Sequence, residues 1–161
     1  MNRQENKASQ TGAERGSSAK LEEDASKRPS GGRPRILALE NEPCLSLLEI
    51  FRPDLEESGF ELLTTSDEHE ALQILLTQPI ALFVVNLAGR MWLLRLIKAE
   101  PRLRQLSVLV VSGYSKLGAI DMLRRAGLVL YRDLDGYLEK PFMPEDLFTF
   151  IGTILARRGR V

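Results

Sequence analysis

From Arg35 onward the chain alternates short, continuous apolar runs with longer stretches whose apolar residues recur at helical spacing. The runs are Arg35 to Leu39, Phe60 to Thr64, Ile80 to Asn86, Ser107 to Ser112 and Tyr137 to Lys140. None alternates strictly between polar and apolar, so each predicts a strand buried on both faces, as in a parallel sheet. The helical stretches are Cys44 to Ser58, a segment opening at Thr65 or Ser66 and stopping before Pro79, Met91 to Ala99, Lys116 to Ala126, and one beginning at Pro144. Pro53 lies inside the first of these and predicts a kink or break near Phe51. Thr65, with Glu68 three residues later, offers a capping box to the second. Gly59 and Gly127 are stop signals, and Pro144 suits a first helical position. Five such alternations predict a doubly wound α/β fold, with five parallel strands, right-handed crossovers, helices on both faces and ligands outside the carboxyl ends of the strands.

The first 34 residues lack this pattern. They are rich in Ser, Gly, Lys, Glu and Gln, with Leu21 the only large apolar residue after Met1. Such a segment cannot offset its ordering entropy by burial, so residues 1–34 are expected to be a disordered arm, residues 35–158 the folded domain and residues 159–161 a short basic tail. The arm is read as a tether, or as a linear motif that folds on a partner.

Charge excludes more than it suggests. The chain has 22 basic and 22 acidic side chains, of which residues 1–35 hold 8 and 5 and the remainder 14 and 17. A mildly acidic body with no net field gives no reason to expect nucleic acid or an anionic membrane as partner, and the trailing Arg157, Arg158 and Arg160 have no aromatic company. One cysteine, Cys44, cannot form an internal disulfide or a thiol cluster, which fits a reducing cytoplasm. No apolar run approaches the roughly 20 residues of a membrane span, and no signal peptide is expected.

Polar residues gather at the ends of the strands. Glu40, Asn41 and Glu42 follow the first, Asn86 closes the third, Ser112 the fourth, and Lys140 the fifth. With the runs ILALENEP at 36–43, ALFVVN at 81–86, VLVVSGYS at 108–115 and GYLEKPF at 136–142, the chain over roughly residues 35–156 resembles the receiver domain of bacterial two-component response regulators. That resemblance implies a flavodoxin-like sheet of receiver type and a phosphoryl switch. In such a switch an acidic pair binds magnesium, an aspartate takes phosphate from a histidine kinase, and a hydroxyl and a lysine hold the phosphoryl oxygens. By position the acidic pair falls on Glu40 and Asn41, the acceptor on Asn86, the hydroxyl on Ser112, the lysine on Lys140 and the switch aromatic on Tyr137.

The departures from that pattern are chemical. An acyl phosphate needs a carboxylate oxygen as nucleophile, and the Asn86 carboxamide supplies none. Of the expected carboxylates only Glu40 remains, so magnesium binding is expected to be weak or absent and no cofactor is implied. Lys140, left without a phosphate, is expected to pair with Glu40. At about 4 Å and an effective dielectric near 20 that contact carries roughly 4 kcal/mol of Coulomb energy, most of it cancelled by desolvation. The loop after Asn86 is shorter than the family pattern, and the segment Leu128 to Gly136 is longer.

These residues therefore predict a stand-alone pseudo-receiver: not an enzyme, but a module that binds a protein such as a histidine kinase, another receiver or a downstream regulator. Its expected interaction face is the 116–126 helix, the 128–136 insertion with the apolar trio Leu128, Val129 and Leu130, and the final helix. The alternative is a phosphorelay protein with another acceptor, such as Asp133 or Asp135, or a small-anion site at Ser112 and Lys140. Ser112 reads equally as a turn cap before Gly113. Tyr137 reads as packed against the sheet, His69 as a solvated residue, Trp92 as core or half-buried surface, and Cys44 as a helix-start thiol with a minor redox prospect. Oligomeric state has no signature here.

Overall fold

The computed structural model describes residues 32–41 and 47–159. Residues 1–31, Cys44 and the start of the first expected helix lie outside the described residues, and so does the tail beyond Gly159. The elements in order are β1 (Arg35–Leu39), α1 (Leu47–Ile50), α2 (Arg52–Glu57), β2 (Glu61–Thr65), α3 (Glu68–Thr77), β3 (Leu82–Asn86), α4 (Met91–Ala99), β4 (Ser107–Ser112), α5 (Lys116–Arg125), β5 (Gly136–Glu139) and α6 (Pro144–Arg157), with a 3-10 turn at Pro101–Leu103. The expected break near Phe51 is present, dividing the first helix into α1 and α2 with Pro53 in the first turn of α2.

All five strands are parallel, in the order β2-β1-β3-β4-β5. Successive strand residues face opposite sides of the sheet. Leu37, Leu39, Phe83, Val85, Val108 and Val110 pack under α3, α4 and α5, where Ala71, Leu93 and Leu123 meet them. Ile36, Ala38, Leu82, Val84, Leu109 and Val111 pack under α1, α2 and α6, against Leu48, Leu55 and Ile151. The double winding explains why the inner strands β1, β3 and β4 are mostly apolar and buried, whereas the edge strand β2 is half-exposed. The direction in which strands are added to the sheet reverses between β1 and β3, and that switch point opens a crevice at their carboxyl ends.

Three local details differ from the sequence reading. The cap of α3 is Asp67, whose carboxylate accepts the Glu70 N–H at 2.7 Å. Thr65 ends β2 instead, its hydroxyl bonded to Glu70 and accepting from the Asp67 N–H at 3.1 Å. Leu128, expected on an interaction face, is 4% exposed and belongs to the core. The cause is the end of α5, where Gly127 takes φ +78. Its N–H donates to the Arg124 carbonyl at 2.9 Å while the Leu128 N–H donates to that of Leu123 at 2.9 Å. This is a Schellman closure, which turns the residue after the glycine back onto the last helical turn. Val129 is exposed, whereas Leu130 is half-buried and packs against the core.

Candidate functional site

The parallel order brings the ends of β1, β3, β4 and β5 to one edge of the sheet, and with them Glu40, Asn86, Ser112 and Lys140. Glu40 follows β1 and is largely buried, with its N–H donating to the Thr65 carbonyl at 3.1 Å. Its carboxylate Oε2 lies 4.0 Å from Lys140 Nζ, so the expected pair is present at the long limit of an ion pair. Asn41 is exposed beside it.

Asn86 is half-buried at the last position of β3. Its side-chain Oδ1 accepts the Ala88 N–H at 3.3 Å, an Asx turn that ties the carboxamide to its own loop. The loop is short because it is a single reverse turn, closed by Arg90 N–H to the Leu87 carbonyl at 3.2 Å, with Gly89 at φ +72 on its corner. Only glycine adopts that corner without strain.

Ser112 is buried, and its hydroxyl accepts the Tyr114 N–H at 3.3 Å, so it does cap the turn before α5. The Ser112 carbonyl receives the Lys140 N–H at 2.8 Å, which fixes the approach of β5. The Lys140–Pro141 peptide is cis. Tyr137 is buried, with its hydroxyl donating to the Tyr114 carbonyl. Burial raises its pKa above the ordinary value of 10.0, with the Ser112 hydroxyl opposing part of the shift. The packed reading of Tyr137 is thus the structural one. Ser115 caps α5 by accepting the Gly118 N–H at 3.2 Å, and Glu139 accepts the Lys116 N–H at 3.1 Å, pinning the loop to the end of β5.

Sequence reasoning missed Arg90. It precedes α4, is 4% exposed, and extends its guanidinium into the β1/β3 crevice. Nη1 donates to the Leu39 carbonyl at 3.1 Å and the Asn86 carbonyl at 3.5 Å, Nη2 to the Glu40 carbonyl at 3.1 Å, and Nε to Glu68 Oε1 at 3.3 Å. Glu68 also accepts the indole N–H of Trp92 at 2.7 Å. Trp92 is 41% exposed, and its ring stands 5.9 Å from that of His69. His69 is exposed as expected, but it has this ring neighbour. A signal for Arg90 did exist: a basic residue at a helix start opposes the dipole, which implies that its charge is spent elsewhere.

This arrangement bears on whether a divalent ion fits. Glu40 faces Lys140 and Glu68 faces Arg90, so these two carboxylates are already balanced by two cations. The carbonyls of Leu39 and Glu40 are engaged by N–H donors. A divalent ion about 5 Å from the guanidinium would meet a repulsion of roughly 7 kcal/mol at an effective dielectric of 20. Among the described residues no group of three or more His, Cys, Asp or Glu side chains converges. The donor set that these described residues offer does not fit magnesium.

The alternative acceptors stand elsewhere. Asp135 Oδ2 accepts the Val108 N–H at 2.8 Å and Oδ1 accepts from Arg158 at 2.9 Å. Asp133 accepts from Val129 N–H at 2.7 Å and from Arg132 at 2.8 Å, and the Arg132 contact holds its carboxyl below the usual range. Val108 lies near the opposite end of β4 from Ser112, about 13 Å away at strand rise. Neither aspartate can join Ser112 and Lys140. Arg124 lies in an open pocket of about 130 Å³ lined by Ile120 and by Leu128 to Tyr131. Leu117, 80% exposed, and Tyr131, with Lys116 Nζ 5.2 Å over its ring, stand on the same side of α5 and its insertion. No helix among the described residues is long and apolar enough to cross a membrane.

No family model and no curated protein matches the chain. Solved structures do. A response regulator receiver domain from Clostridium thermocellum is 26% identical with a TM-score of 0.61, covering 78% of this chain and 97% of its own. A CheY-like receiver domain protein from Methanospirillum hungatei is 22% identical with a TM-score of 0.64, covering 80% and 98%. The receiver domain of a sensor histidine kinase from Pseudomonas aeruginosa, solved with magnesium coordinated in its active-site cleft, is 17% identical with a TM-score of 0.63, covering 78% and 99%. The fold of this chain is that of response-regulator receiver domains.

Proposed function

We propose that this chain is a receiver-type signalling module that acts by binding a protein and does not take phosphate at Asn86. The observation that carries the reading is the carboxamide itself. Asn86 ends β3, at the position where the resemblance puts the acceptor carboxylate, and its Oδ1 is turned onto the Ala88 N–H. An amide oxygen in that bond is no nucleophile toward an acyl or histidyl phosphate.

Output then passes through contact. The surface best suited to it is the α5 face with its insertion, where Leu117 is exposed on the helix and Val129 and Tyr131 are exposed at a pocket also lined by Arg124. At about 130 Å³ the pocket suits one bulky apolar side chain rather than a drug-sized ligand, whose sites begin near 300 Å³. Arg124 adds a preference for a carboxylate beside it. The partner is thus a protein segment with one apolar anchor flanked by acidic residues, carried by a histidine kinase, another receiver or a downstream regulator of a bacterial two-component system. The single cysteine accords with a reducing cytoplasm as its setting.

The test incubates the full chain with acetyl phosphate and magnesium, then reads its intact mass and its capture of native-cell partners. The expected result is an unchanged mass, with capture that is indifferent to the treatment and lost on Leu117→Glu and Val129→Glu. A phosphoryl adduct removed by Asp133→Ala or Asp135→Ala would support the phosphorelay reading instead.

A further inference from the structure

We infer that Arg90 is a resident cation of the strand-end crevice, a covalently attached replacement for a divalent ion. This goes beyond the loss of the acceptor and does not depend on it, because a receiver-type cleft without a nucleophile can still hold metal. Three features carry the inference together. The guanidinium is buried, with only 4% of Arg90 exposed, at the carboxyl ends of β1 and β3. Its donors reach carbonyl oxygens at the ends of both strands that flank the topological switch, those of Leu39 and Glu40 after β1 and that of Asn86 at the end of β3. Its charge is balanced by Glu68, which comes from a third element, α3.

Strand-end carbonyls and a carboxylate converging on one positive centre are the pattern of a cation site, met here by four hydrogen bonds from a planar guanidinium fork instead of a metal. A buried charge of this kind is tolerated only where it is paired and hydrogen-bonded, and Arg90 satisfies both conditions. The arginine reaches the crevice because the single reverse turn at Leu87 to Arg90 is short: it sets the residue at the mouth of the crevice with its backbone already starting α4. Crevice, α3 and α4 are thereby held together without a ligand. Glu68 extends the connection to the surface, since the same carboxylate holds the exposed indole of Trp92.

Isothermal titration of the full wild-type chain with magnesium chloride is the first arm. No saturable binding is expected; saturable binding would overturn the inference whatever happens to Asn86 in a phosphorylation assay. The second arm compares melting of the wild type, Arg90→Lys and Arg90→Ala with and without methylguanidinium. A stepwise fall is expected, with Arg90→Lys intermediate because a compact ammonium with three donors cannot span the four acceptors that the guanidinium fork serves. Methylguanidinium should recover at least half of the Arg90→Ala loss while leaving the wild type unmoved. Arg90→Ala melting with the wild type, or gaining nothing from methylguanidinium while folded, would refute the inference. If Arg90→Ala does not fold, the magnesium titration and the Arg90→Lys melt decide.

Discussion

The Glu68 carboxylate accepts the Trp92 indole N–H at 2.7 Å while its other oxygen stands 3.3 Å from Arg90 Nε. One side chain of α3 therefore links a surface aromatic on α4 to a buried cation at the ends of β1 and β3. Breaking a buried pair leaves a charge without compensation, which is more destructive than the pair is stabilising. Glu68 is 29% exposed, so water replaces part of what it supplies. Glu68→Ala is expected to lower stability by about 1–3 kcal/mol. Trp92 is the only tryptophan, so its emission should shift to the red and become more open to acrylamide quenching. Urea melts followed by fluorescence measure both.

Leu128 and Val129 are adjacent and should behave oppositely. Leu128 is turned into the core by the glycine closure of α5, and Leu128→Ala is expected to cost about 2–4 kcal/mol through lost burial and a cavity. Val129→Ala should stay within about 0.5 kcal/mol, since its side chain faces solvent. Thermal melts give the stability difference.

Gly136 begins β5 under α6. A Cβ there would stand 3.1 Å from Leu109 Cδ1 and 3.3 Å from the Cδ1 atoms of Ile154 and Phe150. Those side chains are packed from both the sheet and the helix, so none yields freely. Gly136→Ala is expected to cost about 1–3 kcal/mol by overpacking, read as a lower urea midpoint with an unchanged slope.

Glu49 joins α1 to β2. It accepts from Arg52 Nη2 at 2.6 Å and Nε at 2.7 Å, and from the Thr64 hydroxyl at 2.5 Å. The Arg52 bonds, aided by Thr64 and opposed by burial, hold its carboxyl below the ordinary value of 4.5. A depressed carboxyl contributes stability that is present above the unfolded value and lost as pH falls through the folded one. The wild type should therefore exceed Glu49→Gln by about 1 kcal/mol near neutrality, and the difference should shrink as pH falls below about 4.5, measured by urea melts across an acid pH series.

Most of the architecture was legible because burial on both faces writes itself into the strands. The limits of α4 at Met91–Ala99 and β4 at Ser107–Ser112 match the expected ones, and Glu40, Asn86, Ser112 and Lys140 converge because a parallel sheet puts all strand ends of one sense on one edge. What escaped depends on side-chain reach, not on pattern. Arg90 looks like any polar residue after a turn, and only its misplacement against the helix dipole hints at another use. Leu128 looked exposed because it stands in an apolar trio outside any element, although a glycine followed by an apolar residue is itself a closure signal. The cap on α3 went to Asp67 because Thr65 was already committed to the end of β2.

The most direct test of the central claim, that this crevice has a receiver's shape without a phosphoryl chemistry, is an amide spectrum of the nitrogen-15-labelled full chain recorded before and after addition of magnesium with beryllofluoride, which mimics a phosphoryl group on a carboxylate. The cross-peaks of Leu87, Ala88, Tyr114 and Lys140, which surround Asn86 and Ser112, are expected to stay in place. Saturable movement of those four, absent when magnesium is added alone, would contradict the account.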